Sequence, residues 1–214
     1  MTGFDCGLVE TKATIHGPFV WSKSESCVFN QPEVLKRGIY LWTIPWKGKY
    51  LTNYVGMVYS QQGFKRRLKE HMRSYQNGLY RIYDSKEFSK GNVRIIWEGL
   101  WLPERKAHKE EYKKEFDSDY ESKYKDRIEA LLKVFKLFLV PIEMPDNYTR
   151  TTFQKFIRRI EDAMVFDMIL KSNDVYELYD DTDIKMHKLR KNYQIKINLK
   201  NNEQIIGLSN EILC

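Results

Sequence analysis

Cysteine is scarce in this sequence: Cys6, Cys27 and Cys214 are the three in 214 residues, odd in number, widely spaced and without a CxxC pair. That pattern argues against a disulfide framework and against a zinc knuckle, and it favours a reducing cytoplasm. Long apolar runs are missing too. The most apolar stretch, Ala130 to Met144, is interrupted by Lys133 and Lys136, well short of the roughly 18 uninterrupted apolar residues of a membrane helix. The first ten residues carry Asp5 and Glu10 and no basic segment followed by an apolar one, so no secretory signal is expected. No repeat of fixed period and no low-complexity tract occurs, which excludes solenoids and tails.

What is present is enough for a core. Hydrophobic residues make up 42% and charged residues 30%, with 14 Tyr, 11 Phe and 5 Trp. The balance of 36 Lys plus Arg against 29 Asp plus Glu leaves +7, compatible with a polyanionic partner. Gly38 to Ile44 and Tyr50 to Tyr59 are rich in β-branched and aromatic residues and flank Pro45-Trp46-Lys47-Gly48-Lys49, so they predict an antiparallel hairpin. With its loop centred on Lys47, Tyr40 faces Tyr54 directly and two phenols share one face. Phe64, Leu68 and Met72 then define an amphipathic helix whose exposed flank bears Lys65, Arg66, Arg67, Lys69 and Arg73; Arg67 and His71, four apart, lie on one face of it.

Asn92 to Leu102 predicts a strand. Glu104 to Glu129 holds eight positive and nine negative residues and reads as a solvated helix or helical hairpin docking by its C-terminal end. Leu137 to Met144 is a further strand. Thr151 or Thr152 can cap a helix from Phe153 to Leu170. Tyr193 to Leu199 and Gln204 to Leu208 predict a terminal hairpin, and six Lys plus Arg with no acid between Lys185 and Lys200 make a second basic tract.

Gly38-Ile39-Tyr40, Tyr54-Val55-Gly56, Arg67-Leu68-Lys69-Glu70-His71 and, on the late helix, Glu161 followed by Met164 and Val165 stand in that order. Together they resemble the signature of the GIY-YIG nucleases, and Asn173 falls where many members place an asparagine. The resemblance spans roughly Arg37 to Asn173, with a longer step from Tyr54 to Arg67 than is common and an insertion at Glu104 to Glu129. It implies an α+β fold with a GIY-YIG-like core, a small mixed β-sheet flanked by helices. Residues 1–36 would form an N-terminal extension, 37–173 the core with a charged helical insertion at 104–136, and 174–214 a basic C-terminal extension packed on the core.

Phosphodiester hydrolysis needs a nucleophilic water, charge compensation on the phosphate oxygens and stabilisation of the leaving 3′ oxygen. One carboxylate such as Glu161 can hold Mg²⁺ or Mn²⁺ that keeps most of its waters. A guanidinium fork such as that of Arg67 suits non-bridging phosphate oxygens. By analogy with the family, Tyr40 accepts the proton of the attacking water, His71 relays it, and Tyr54 orients water or phosphate. The metal, Arg67 and His71 would lower the Tyr40 pKa from about 10. Asn173 would add a metal or phosphate contact, with helix capping as its alternative. Competing readings are aromatic packing for the tyrosines and an i, i+3 ion pair with Arg158 for Glu161. His16, His108 and His187 receive no ligand role, and no cofactor beyond the metal is expected.

The function expected from these residues is a divalent-metal-dependent endonuclease on double-stranded DNA, with Lys65, Arg66, Lys69, Arg73, Lys188, Arg190 and Lys191 as backbone contacts. The short chain without an appended DNA-binding module leans toward a type II restriction enzyme, for which a palindromic target would imply a homodimer and the host system a cognate methyltransferase. Alternatives are a structure-selective repair or phage nuclease, and a non-catalytic nucleic-acid-binding module.

Overall fold

In the computed structural model, which describes residues 9–21, 24–178 and 195–214, the chain leads in with β1 (Val9–Thr14) and β2 (His16–Phe19). The expected hairpin follows as β3 (Gly38–Trp46) and β4 (Lys49–Val58). Its turn is tighter than the five-residue loop expected: only Lys47 and Gly48 remain unpaired, with φ of 49° and 77°. Two consecutive positive φ angles are the hallmark of the hairpin turn that matches the twist of its strands, and glycine takes the second at no steric cost. Pro45 fits inside β3 because the strand has there outrun its other neighbour, whose pairing stops at Thr43, so no hydrogen bond misses the absent N–H.

Helix α1 (Gly63–Gln76) buries Phe64, Leu68, His71 and Tyr75. Its core-facing stripe therefore includes His71, where the apolar periodicity alone pointed to Met72. The strand expected over Asn92 to Leu102 shrinks to β6 (Ile95–Trp97), because its partner β5 (Ile82–Tyr83) is two residues long; α2 (Ser85–Phe88) lies between them.

The charged insertion is helical: α3 (Pro103–Lys106), α4 (Lys109–Asp119), a π turn at Tyr120–Tyr124, and α5 (Lys125–Val134). Its mixed-sign composition resolves into i, i+4 pairs such as Lys123–Asp119 at 3.3 Å and Lys125–Glu121 at 2.8 Å. It docks by more than its C-terminal end. Phe116 and Tyr124 stack with ring centroids 4.8 Å apart, and both meet Trp97.

Strand β7 (Lys136–Pro141) completes a sheet of order β2-β7-β3-β4. Every pairing in it is antiparallel, so the sheet carrying the two tyrosines is not mixed as expected. Gly38 to Ile44 are buried without a break, as befits a strand with neighbours on both edges and cover on both faces. Helix α6 (Arg150–Lys171) is capped by Thr149, whose Oγ1 accepts from the Thr152 N–H at 3.2 Å; the helix starts earlier than a Thr151 or Thr152 cap would allow. Short α7 (Asn173–Leu178) follows.

Strand β8 (Ile195–Lys200) pairs parallel with β1 and antiparallel with β9 (Glu211–Leu213), and this is where mixed pairing occurs. The segment Gln204 to Leu208 is thus not the second strand of the terminal hairpin. Ile205 and Leu208 are buried instead, with the Ile206 N–H donating to the Tyr50 carbonyl at 3.0 Å. The whole is a mixed α+β arrangement of three small sheets with helices around them. Among the described residues, no helix is long and apolar enough to cross a membrane. Lys188, Arg190, Lys191 and His187 lie outside the described residues.

Candidate active site

The site is built on an irregularity of the hairpin. Trp42 pairs with Tyr54 and Thr43 with Thr52, so Asn53 is an extra residue in β4, a bulge. Tyr40 faces Gly56, and the direct opposition of Tyr40 and Tyr54 expected from a loop centred on Lys47 does not occur. The shift amounts to two positions, one from the bulge and one from the turn, where Trp46 pairs with Lys49; side chains alternate with period two, so both phenols still share one face, with ring centroids 6.2 Å apart. Gly56 is required by this packing. A Cβ there would stand 2.2 Å from Tyr40 Oη and 2.3 Å from its Cζ.

Helix α1 brings the next two groups. His71 Nε2 lies 2.6 Å from Tyr40 Oη, and Arg67 Nε donates to the same hydroxyl at 3.4 Å. Arg66 bonds Glu70 and Gln62, while Arg67 turns to Tyr40 and also meets Glu70, its Nη1 3.4 Å from Oε2. His71 is enclosed by the rings of Tyr40, Trp42, Tyr54 and Tyr80 at 5.3–6.0 Å.

That enclosure dominates the titration behaviour. Burial, then the charge of Arg67, pushes the His71 pKa down to about 3, so its imidazole is neutral at pH 7, with a ring nitrogen able to accept a hydrogen bond. Burial, then Tyr54, holds the Tyr40 phenol well above its ordinary range, with Arg67 pulling the other way. Of the cations expected to lower Tyr40, Arg67 does act in that direction, and desolvation outweighs Arg67 alone. Burial and then Glu161 push Tyr54 up to about 12. For Arg67, burial disfavours the charge, but Tyr40, Tyr80 and Tyr54 more than offset it and raise the pKa.

Glu161 comes from α6, its side chain only 6% exposed, with Arg158 Nε 3.6 Å from Oε2. The i, i+3 pair anticipated from sequence thus exists, and it sits at the cleft. Tyr40, Tyr54, Arg67 and Glu161 all line one cleft of about 450 Å³, with Glu70, Arg150, Gln154 and Arg158; His71 backs Tyr40 from within. Arg150 and Gln154 have no role in the sequence reading, and Arg158 enters it only as the ion-pair partner of Glu161. Their spacing with Glu161, at i, i+4, i+8 and i+11, is a polar stripe along α6 that helical periodicity makes legible.

Other expected residues fall elsewhere. Asn173 opens α7 beyond the end of α6, and the ten helical steps from Glu161 to Lys171 already carry the chain about 15 Å along the axis before it. Its neighbour Asp174 accepts from Trp46 Nε1 at 3.1 Å, at the turn end of the hairpin, and Asn173 does not line the cleft. Nor is Asn173 the cap of α6, a position held by Ser172. Lys65, Lys69 and Arg73 are exposed on α1 without lining the cleft, and Arg66 lines it.

For Mg²⁺ or Mn²⁺, the donor set fits a particular kind of binding. Among the described residues no three His, Cys, Asp or Glu side chains group as a metal cage. Glu161 offers one hard carboxylate facing open cleft, which suits an ion completed by water and phosphate oxygens. Cys27 and Cys214 are buried free thiols apart from this chemistry. Comparisons with protein-family models, with curated proteins and with solved structures found no match.

Proposed function

We propose that this cleft is the catalytic centre of a divalent-metal-dependent DNA endonuclease of GIY-YIG type, within a type II restriction enzyme. The observation that carries the reading is the convergence on Tyr40 Oη of His71 Nε2 and Arg67 Nε, in a cleft also walled by a buried carboxylate. The four motifs lie far apart in sequence. A non-catalytic binding surface gains nothing from a buried glutamate beside phosphate, since like charges repel.

Glu161 would hold the metal ion, which when bound would supply Lewis-acid polarisation of the phosphoryl group and compensation for charge on the departing 3′ oxygen. The chain's own groups do the rest. Arg67 presents its guanidinium to the non-bridging oxygens. The attacking water gives its proton to Tyr40 Oη as the Tyr40 proton passes to His71 Nε2; the water oxygen bonds to phosphorus and the P–O3′ bond breaks. Concerted transfer is needed because burial disfavours a free tyrosinate. Bound phosphate assists, because its negative charge opposes that of Arg67, one of the two causes that keep His71 weakly basic. His71 therefore gains basicity when substrate is present.

Plasmid DNA incubated with Mg²⁺ and with chelator tests the reading: cleavage is expected only with metal. Glu161→Ala should keep DNA binding and lose cleavage, and a fully active variant would overturn the assignment. Retarded but intact DNA under both conditions would make the protein a binder. Discrete fragments sharing one end sequence support restriction, and cuts that follow DNA structure support a repair or phage nuclease.

A further inference from the structure

Next to the cleft lies a second hollow of about 430 Å³, which shares Tyr59, Ser60, Arg66 and Arg150 with it. Arg37, Arg66 and Arg150 stand around this hollow, and no acidic side chain lines it. Arg66 is held by Glu70 at 2.7 Å. Arg37 and Arg150 are different. Arg37 lies over the Phe153 ring at 4.8 Å and Arg150 over the Tyr59 ring at 5.6 Å, and among the described residues neither forms an ion pair with a carboxylate. Aromatic faces fix the two guanidiniums without neutralising them. Helix α6 begins at Arg150, so the positive end of its dipole adds to the same wall. Two guanidiniums without a counter-charge on one concavity repel one another unless an anion enters, and guanidinium forks match phosphate oxygens.

We infer that this hollow is a second phosphate subsite, holding a backbone phosphate that flanks the one cleaved. The inference rests on the nuclease reading. The shared wall lets a single strand occupy both sites. Beyond Arg37, Ser60 and Gln61 the hollow opens into a trough of about 980 Å³ with Lys12, Lys36 and Lys200 on its sides, together with Glu10 and Glu143, which gives the strand a way out. Arg37 and Arg150 are thus positioning residues: they set which phosphodiester lies over Tyr40 and take no part in bond breaking.

The test uses Arg150→Ala, exposed at a helix start, and the double variant Arg37→Ala/Arg150→Ala. Affinity for a short mixed-sequence DNA duplex is measured by anisotropy against salt concentration, without divalent metal. Losing one neutralised phosphate lowers the slope of log K against log salt by about 0.9. In plasmid cleavage with Mg²⁺, KM should rise about tenfold while kcat stays within about threefold. An unchanged slope with cleavage intact would remove the subsite and leave the nuclease standing. A fall in kcat without a change in slope would also overturn it, by moving these arginines into the chemistry. Wild-type protein that neither binds nor cuts DNA would remove both readings.

Discussion

At the scale of single residues, the tightest constraint in the site is the space between Tyr40 and Gly56. Tyr40 is fully buried and cannot swing aside from a methyl group placed 2.2 Å from its hydroxyl. Gly56→Ala should therefore cost about 1–3 kcal/mol through overpacking and disturb the 2.6 Å contact with His71; a melting temperature equal to wild type would show that the ring has room. His71 governs a pH effect. Its pKa is about 3 in the fold and about 6.5 when unfolded, so the unfolded chain binds the extra proton. The stability this group contributes is whole above pH 6.5 and is lost progressively as pH falls toward 3. Urea unfolding should find the protein about 2 kcal/mol less stable at pH 5 than at pH 7 from this source, and His71→Gln should remove that difference. Equal slopes for the two proteins would mean that His71 is charged in the fold. These two residues also show how far the sequence could be read. Residue types and order brought Tyr40, Tyr54, Arg67, His71 and Glu161 into one hypothesis. The register did not follow, because neither the extra residue at Asn53 nor the two-residue turn at Lys47 and Gly48 leaves a mark on the apolar pattern. Nor could the pattern reveal the direction of the Tyr40 shift, which depends on how completely surrounding rings exclude water.

Among the elements, those with strong periodicity were legible: the hairpin, α1 and α6 all lie where pattern places them. The errors share a physical cause, since strand length and helix docking are decided by partners remote in sequence. Asn92 to Leu102 has the composition of a strand and only a two-residue neighbour to pair with. The charged insertion reads as solvated from its composition, yet Phe116 is fully buried against Trp97, whose Nε1 donates to the Gly78 carbonyl at 2.7 Å. This cluster ties the insertion to the loop that follows α1. Phe116→Ala should cost about 3–5 kcal/mol in chemical denaturation, whereas loss below about 1 kcal/mol would place the insertion in solvent.

For the whole molecule, the terminal segments form one sheet, with β8 between β1 and β9, and Ser209 and Ile205 are among the residues that fasten it to the rest. Ser209 bonds the Asp167 carboxylate of α6 through its N–H at 2.6 Å and its hydroxyl at 2.9 Å, and Ile205 bridges to Tyr50 of the hairpin. Deleting residues 205–214 removes both ties and β9 together, and the shortened chain should unfold at clearly lower urea concentration; an unchanged midpoint would make the segment an ornament. The pairing of Val9–Thr14 with Ile195–Lys200 also has a bearing on synthesis. Contacts between stretches so distant in the chain form slowly, and here the hairpin, α1 and α6 must all be translated before the inner strand of that sheet exists. A newborn molecule can thus shape the cleft around Tyr40 and Glu161 before its outer sheet closes, so an interval separates the making of the site from the full stability of the fold.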